Sequence, residues 1–261
     1  MQDKSQTEKP VDSAAEKPAD APKVLRDIDD EARRLARTLV RGARYMALAV
    51  LDPETGFPSA SRALTGTDID GVPVVLVSGL SGHTKGLLAD PRCSLLAGEP
   101  GKGDPLAYPR ITVQCLAEPI ARDTPEHDRI RTRFLDRHPK AALYADFPDF
   151  RFFRITPQSA SLNGGFGRAY LMPGGDLMIR EPGITSGWLD LQQNLKNMTD
   201  LAATFATQFN AESGRNWRFG GVDRAGIDMI SGDFQLRHEF PTLMDSPEAV
   251  LDYIFDTAKV C

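Results

Sequence analysis

The feature that most limits this chain is a succession of short aliphatic runs between residues 45 and 97. Tyr45–Leu51, Ser59–Thr67, Val72–Ser78 and Arg92–Ala97 each read as a strand from their β-branched and aliphatic content. The turn DPETGFP (52–58) joins the first two, and Asp70-Gly71 is a hairpin signal into the third. Strands this short, linked this tightly, pair antiparallel with their neighbours, and such a meander is how a small barrel starts.

Between the third and fourth runs lie a glycine-broken loop, Gly79–His83, and a helix, Thr84–Ala89, kept short because Asp90 precedes Pro91. Ser78, Ser81, Thr84 and Lys85 put hydroxyls and a cation at a helix start, where free backbone N–H groups favour an anion such as phosphate. The competing reading is that Ser81 or Thr84 caps the helix and Lys85 is a solvated surface cation. Arg62 shares a strand face with Ala60 and Leu64. An arginine so placed either snorkels to solvent or pairs with an anion.

Elsewhere the pattern is mixed. Ile28, Ala32, Leu35 and Leu39 predict an amphipathic helix over Val24–Ala43, with Arg33, Arg34 and Arg37 solvated between them. Glu99–Tyr108 reads as a loop and Ile111–Ala117 as a strand. A helix capped by Thr124, with Pro125 first, runs to Arg137 and is broken at His138-Pro139, with Ala141–Ala145 as a short continuation. His127 and His138 are expected at the surface or as caps rather than as metal ligands. Phe150–Thr156 is a strand. In Ser161–Met172, Gly164, Gly165 and Gly167 surround Phe166 at the wrong spacing for a dinucleotide fingerprint, and suit close approach of backbone to a flat ligand or a partner subunit. Beyond Pro173, Gly174, Gly175, Pro182, Gly183 and Gly187 mark a linker. Leu189–Phe209 then predicts one helix, Trp217–Arg237 two short strands, and Ser246–Lys259 a helix capped by Ser246.

A chain of 261 residues with 41% hydrophobic content buries a sizeable core, as one large or two small domains. The net charge of −5 argues against a general nucleic-acid binder, and no run approaches a membrane span. Residues 1–23 lack an apolar signal region and read as a disordered tail. Cys93, Cys115 and Cys261 show no metal or redox spacing, so a reducing cytoplasm is the expected home.

The segment HTKGLLADPRCSLL (83–96) resembles the FMN-phosphate segment of the pyridoxamine 5′-phosphate oxidase-like split barrels, and more closely that of HugZ-type haem-utilisation proteins. Residues 103–120, 133–157 and 162–172 agree with the same family in order, so the resemblance spans most of residues 30–175. It implies a mainly β fold with helices: an FMN-binding split β-barrel over 24–175, followed by a small C-terminal α/β domain over 176–261. It further implies a homodimer with the ligand cleft at its interface and a small-molecule substrate, and an FMN-dependent oxidoreductase in which the flavin carries the chemistry. By this resemblance Arg62, Ser78, Thr84 and Lys85 hold the flavin phosphate, with His83, Arg110 and Gly165 as further cofactor contacts and Arg168 beside the cleft. No side chain stands out as a general acid or base. Members of the HugZ branch instead bind and open haem with a C-terminal histidine on the iron, for which His238 is the candidate here. Plant relatives of this architecture resemble non-catalytic binding modules of tetrapyrrole synthesis. The segment KNMTDLA (196–202) keeps Met198 of a short C-terminal motif but lacks its histidine.

Overall fold

In a computed structural model of the chain, residues 25–165, 167–179, 186–209 and 215–259 are described. The expected tail, Cys261 and the linker positions Pro182 and Gly183 lie outside them.

Helix α1 (Asp30–Gly42) begins later than the periodicity suggests because the Asp29 carboxylate accepts from Ala32 N (2.7 Å) and caps it there. Seven antiparallel strands follow: β1 (Tyr45–Leu51), β2 (Pro58–Thr67), β3 (Pro73–Ser78), β4 (Arg92–Ala97), β5 (Arg110–Pro119), β6 (Phe150–Asn163) and β7 (Ala169–Pro173). Their order is β3-β2-β1-β4-β5-β6-β7, and a β3–β6 pairing closes the first six into a barrel. Closure depends on the length of β6, which runs well past the expected Thr156. Its first residues, Phe150–Arg154, pair β3, its last, Ser159–Asn163, pair the added strand β7, and β5 pairs it from Phe153 to Asn163. Leu48, Leu95, Ile111, Val113, Phe153, Ile155 and Leu162 fill the interior, fully buried. The β2–β3 turn is closed by Gly71 N donating to Asp68 O (2.9 Å), with Gly71 at φ +84°, a backbone region suited to glycine.

Two helices sit between strands. α2 (Gly82–Ala89) lies so close to β1 that a Cβ on Gly86 would meet Val50 Cγ2 at 2.8 Å and Leu51 O at 2.9 Å. α3 (Pro125–Arg137), capped by Thr124 as expected, lays Ile130 and Phe134 against Val74, Leu76 and Phe152. Both expected surface-or-cap histidines are buried: His127 lies within α3, which corrects its expected place, whereas His138 is the C-cap of the helix, as one of the two readings had it. His138 Nε2 lies 2.9 Å from Thr65 O. A carbonyl only accepts, so Nε2 carries the proton, and burial pushes the ring pKa down to about 4.

The C-terminal part has its own core around Trp188, Phe205, Phe219, Met229 and Ile254. The single helix expected over Leu189–Phe209 is two, α4 (Ser186–Lys196) and α5 (Thr199–Thr207). The break falls at Met198, whose φ/ψ of −94°/57° leaves the helical region. Gly187 belongs to α4 rather than to a linker. Three strands, β8 (Arg218–Asp223), β9 (Gly226–Ser231) and β10 (Phe234–Glu239), replace the expected two, and α6 (Pro247–Ala258) is capped by Ser246.

This sheet meets the barrel helices through a seam of buried charge. Arg41 pairs with Asp223 (2.7 Å), Arg137 with Asp228 (2.8 Å), and Arg237 with Asp223, Asp228 and Glu239. Burial alone would raise the Asp223 carboxyl, but Arg237, Arg41 and Arg133 hold it well below the usual carboxylate range. The α1 arginines are not all free in solvent either. Arg34 donates to Glu239 O (2.8 Å), and half-buried Arg37 reaches toward Asp176 O (3.5 Å). Among the described residues no helix is long and apolar enough to cross a membrane.

Candidate functional site

Strand alternation sends one side chain in two out of the barrel. Register then lines these side chains up across the sheet. One row runs Arg62, Ala47, Leu96, Thr112, Ser161 and Leu171, and the next Ala60, Ala49, Ser94, Gln114, Ser159 and Pro173. The result is an open face of small side chains, with Leu51, Leu96, Leu116 and Leu171 exposed on it. Two hollows lie along it. A cleft of about 500 Å³ is lined by Arg62, Tyr45, Ala47, Ser61, Leu96 and Glu99, and a neighbouring groove of about 550 Å³ by Ala49, Leu51, Arg92, Ser94, Gln114 and Gln158.

Arg62 is exposed, with its guanidinium carbon 4.7 Å above the Tyr45 ring, a cation–π contact. The Glu99 carboxylate beside the Tyr45 hydroxyl raises its pKa. Ser61, on the same cleft, lies 3.0 Å from His83 Nδ1, so His83 is tied to the cleft wall; burial lowers its pKa. Gly98 links this cleft to Arg110, because a Cβ there would lie 2.7 Å from Arg110 Cα. Arg110 itself donates to Leu106 O (3.2 Å) and Tyr108 O (3.4 Å). Gly165, at φ +102°, lies where an added Cβ would meet Ala107 O of the same loop at 3.0 Å, and it donates to Asn163 Oδ1 (3.1 Å). Arg62, His83, Arg110 and Gly165 therefore follow one border of the face.

The other predicted residues divide. Ser78 Oγ donates to Asp149 Oδ2 (2.6 Å), and buried Thr84 donates to Ser78 O (2.7 Å), as does Ser81 (2.7 Å). These hydroxyls knit the loop together instead of presenting donors to a ligand. Lys85 is exposed and makes no ion pair among the described residues. It adds to the hydrogen bonds from Thr55 that lower the Asp52 carboxyl. Arg168 pairs with Glu31 (2.9 Å). His238 is not on this face. It stacks on Phe209 (3.9 Å between ring centroids), with Nε2 2.8 Å from the Tyr253 hydroxyl, inside the C-terminal aromatic cluster. Burial, with Arg34 and Arg237 nearby, lowers its pKa to about 4.

Sequence reasoning missed Tyr45, Ala47, Leu96, Thr112 and Gln114. Their signal is the period-two run Tyr-Ala-Ala-Leu along Tyr45–Leu51, whose outward positions are small where an exposed strand commonly carries charge.

A closed antiparallel barrel with one added strand and an open face of small residues defines a split-barrel protein. The chain belongs to the pyridoxamine 5′-phosphate oxidase family, whose profile matches residues 32–164. It is 32% identical over 158 residues to the non-canonical heme oxygenase HOZ, chloroplastic, of Arabidopsis thaliana, an alignment covering 58% of this chain and 48% of that protein. The chain thus spans about half the length of the curated relative it matches. Among solved structures, a protein of unknown function from Agrobacterium tumefaciens superposes with TM-score 0.77 at 28% identity, over 90% of this chain and all of the other. A heme binding protein from Mycobacterium smegmatis superposes at 0.54 with 26% identity, over 90% and 98%.

Proposed function

We propose that this chain binds haem on the outer barrel face as a homodimer, and that its activity is of the haem-oxygenase type. The carrying observation is the row Arg62–Ala47–Leu96–Thr112–Ser161: a flat, small-residue bed with a cation at its rim. A planar macrocycle needs such a bed, and propionates need such a cation. The relatives from Arabidopsis and Mycobacterium support the same ligand by their printed names. Bound haem would supply the redox chemistry. The chain's part is to seat the ring, hold its propionates at Arg62 and exclude water by covering the face with a second copy. Of the four histidines, His83 alone reaches this face, at its border, where Nδ1 meets Ser61; His127 and His138 are buried by α3, and His238 is enclosed by aromatics.

FMN is the second reading, favoured by the start of α2. There the Gly82 and His83 N–H groups have no acceptor among the described residues, and Lys85 stands free beside them. The resemblance placed FMN first; the inward-turned Ser78 and Thr84 hydroxyls leave that phosphate site with fewer donors than expected. Separate absorption titrations with haem and FMN decide the matter. A saturable haem band, weakened about tenfold in Arg62→Ala, is the expected result. A tight flavin spectrum with no haem band would replace this reading with an FMN oxidoreductase. Loss of the haem band on adding reductant under dioxygen separates catalysis from the non-catalytic module.

A further inference from the structure

A third hollow lies away from the outer face, in the corner between the barrel and the C-terminal sheet. It encloses about 260 Å³ beneath the turn joining β9 to β10, with Leu64, Ile230, Pro139 and Ala141 as apolar walls. Four cations also line it: Arg44, Arg137, Lys140 and Arg218.

The nearby carboxylates do not match this charge. Asp233 is the only acidic residue on the wall among the described residues, and it is shared by Arg44 (2.6 Å) and Lys140 (3.1 Å). Asp228, behind the wall, is divided between Arg137 (2.8 Å) and Arg237 (3.3 Å). Asp136 is occupied by Lys196 and by Gln192 (2.6 Å). Arg218 is left with one hydrogen bond, to the backbone oxygen of Asp136 (2.7 Å), and no carboxylate partner among the described residues. It is half-buried, and desolvation, partly offset by Asp136, lowers its pKa. Arg137, 4% exposed, also lines the hollow and has its Nε buried without an acceptor. A half-buried guanidinium without a counter-ion is a costly arrangement, and it is relieved by an anion.

We propose that this corner is a binding site for a small organic carboxylate with an apolar body, its carboxylate meeting Arg218 and its body lying against Leu64 and Ile230. The arginine fork matches the two oxygens of a carboxylate. The volume is slightly below the usual range of about 300–1,000 Å³ for ligand pockets, so the site takes a molecule of one ring and excludes a nucleotide or a tetrapyrrole. It is therefore separate from the cofactor face and independent of which cofactor that face holds.

The test is calorimetric titration of the full chain with benzoate, with benzyl alcohol as the neutral counterpart and inorganic phosphate as the anion without an apolar body. Saturable benzoate binding is expected, at least tenfold weaker in Arg218→Gln, with no saturable binding of benzyl alcohol. Binding unchanged in Arg62→Ala would show that the site is not the outer face. The proposal is overturned if benzoate does not bind, if Arg218→Gln binds it equally, or if phosphate binds and benzoate does not. Should Arg218→Gln fail to fold, Arg218→Lys, which keeps the charge but removes the fork, gives the same decision: weakened benzoate binding supports the site and unchanged binding removes it.

Discussion

Two surfaces of this barrel are made from opposite materials. Across the outer face, Ala47, Ala49, Ala60, Ser94, Thr112 and Ser161 stand in register, and the charges, Arg62 and Arg92, sit at the borders. At the seam with the C-terminal sheet, the side chains of Arg41, Arg237, Asp223 and Asp228 are all buried. Small uncharged side chains lose little when covered and cost little when left open, so such a face can exchange solvent for a ring or a second subunit. Buried ion pairs behave differently: each charge has lost its water and depends on its partner, so the seam is committed to one geometry. One surface can be covered or left open, and the other stays closed.

The sharpest way to break this contrast is at Asp223. Asp223→Ala leaves Arg41 and Arg237 buried with fewer counter-charges and is expected to cost about 3–5 kcal/mol in chemical denaturation. A loss below about 1 kcal/mol would mean that the seam is wetter or looser than its burial indicates.

A second effect comes from His138 beside the seam. The unfolded chain protonates its histidines near pH 6.5, whereas folded His138 stays neutral down to about pH 4. The unfolded state therefore binds more protons in that window, and stability falls as pH drops through it. The expected loss from pH 7 to pH 5 is about 2 kcal/mol from this group. His238, lowered for the same reason, acts in the same direction. His138→Gln should flatten the pH dependence; a profile as steep as that of the unaltered protein would assign the slope to other groups.

The smallest effect on stability is expected on the outer face. Leu96 is 45% exposed, so Leu96→Asp should change unfolding free energy by less than about 0.5 kcal/mol. If the proposed dimer covers this face, the same change should nonetheless abolish it in sedimentation, because a charge would be buried at its centre. A variant that stays dimeric would place the partner elsewhere.

Much of this was legible in the chain itself. β1 and β4 have the bounds that their aliphatic runs predict, and α3 starts at the Thr124 cap and stops where His138-Pro139 breaks it. Local chemistry decides those ends, since a cap, a proline and a β-branched run act within a few residues. The C-terminal helix broke at Met198 without such a signal, and β6 outran its expected end because pairing with β7 extends it.

The candidate site divides along the same line. The sequence by itself determined that Arg62 shares a strand face with Ala60 and Leu64, because alternation along a strand is local; that this face looks away from the barrel core came from the closed sheet. It also determined which side chains at the start of α2 bear hydroxyls, but not where they point. Only the tertiary structure turned Ser78 to Asp149, buried Thr84, enclosed His238 among aromatics and paired Arg41 with Asp223. Each of those outcomes needs a partner far away in the chain. Whether a polar group meets that partner or solvent is settled by packing, which a one-dimensional pattern does not record.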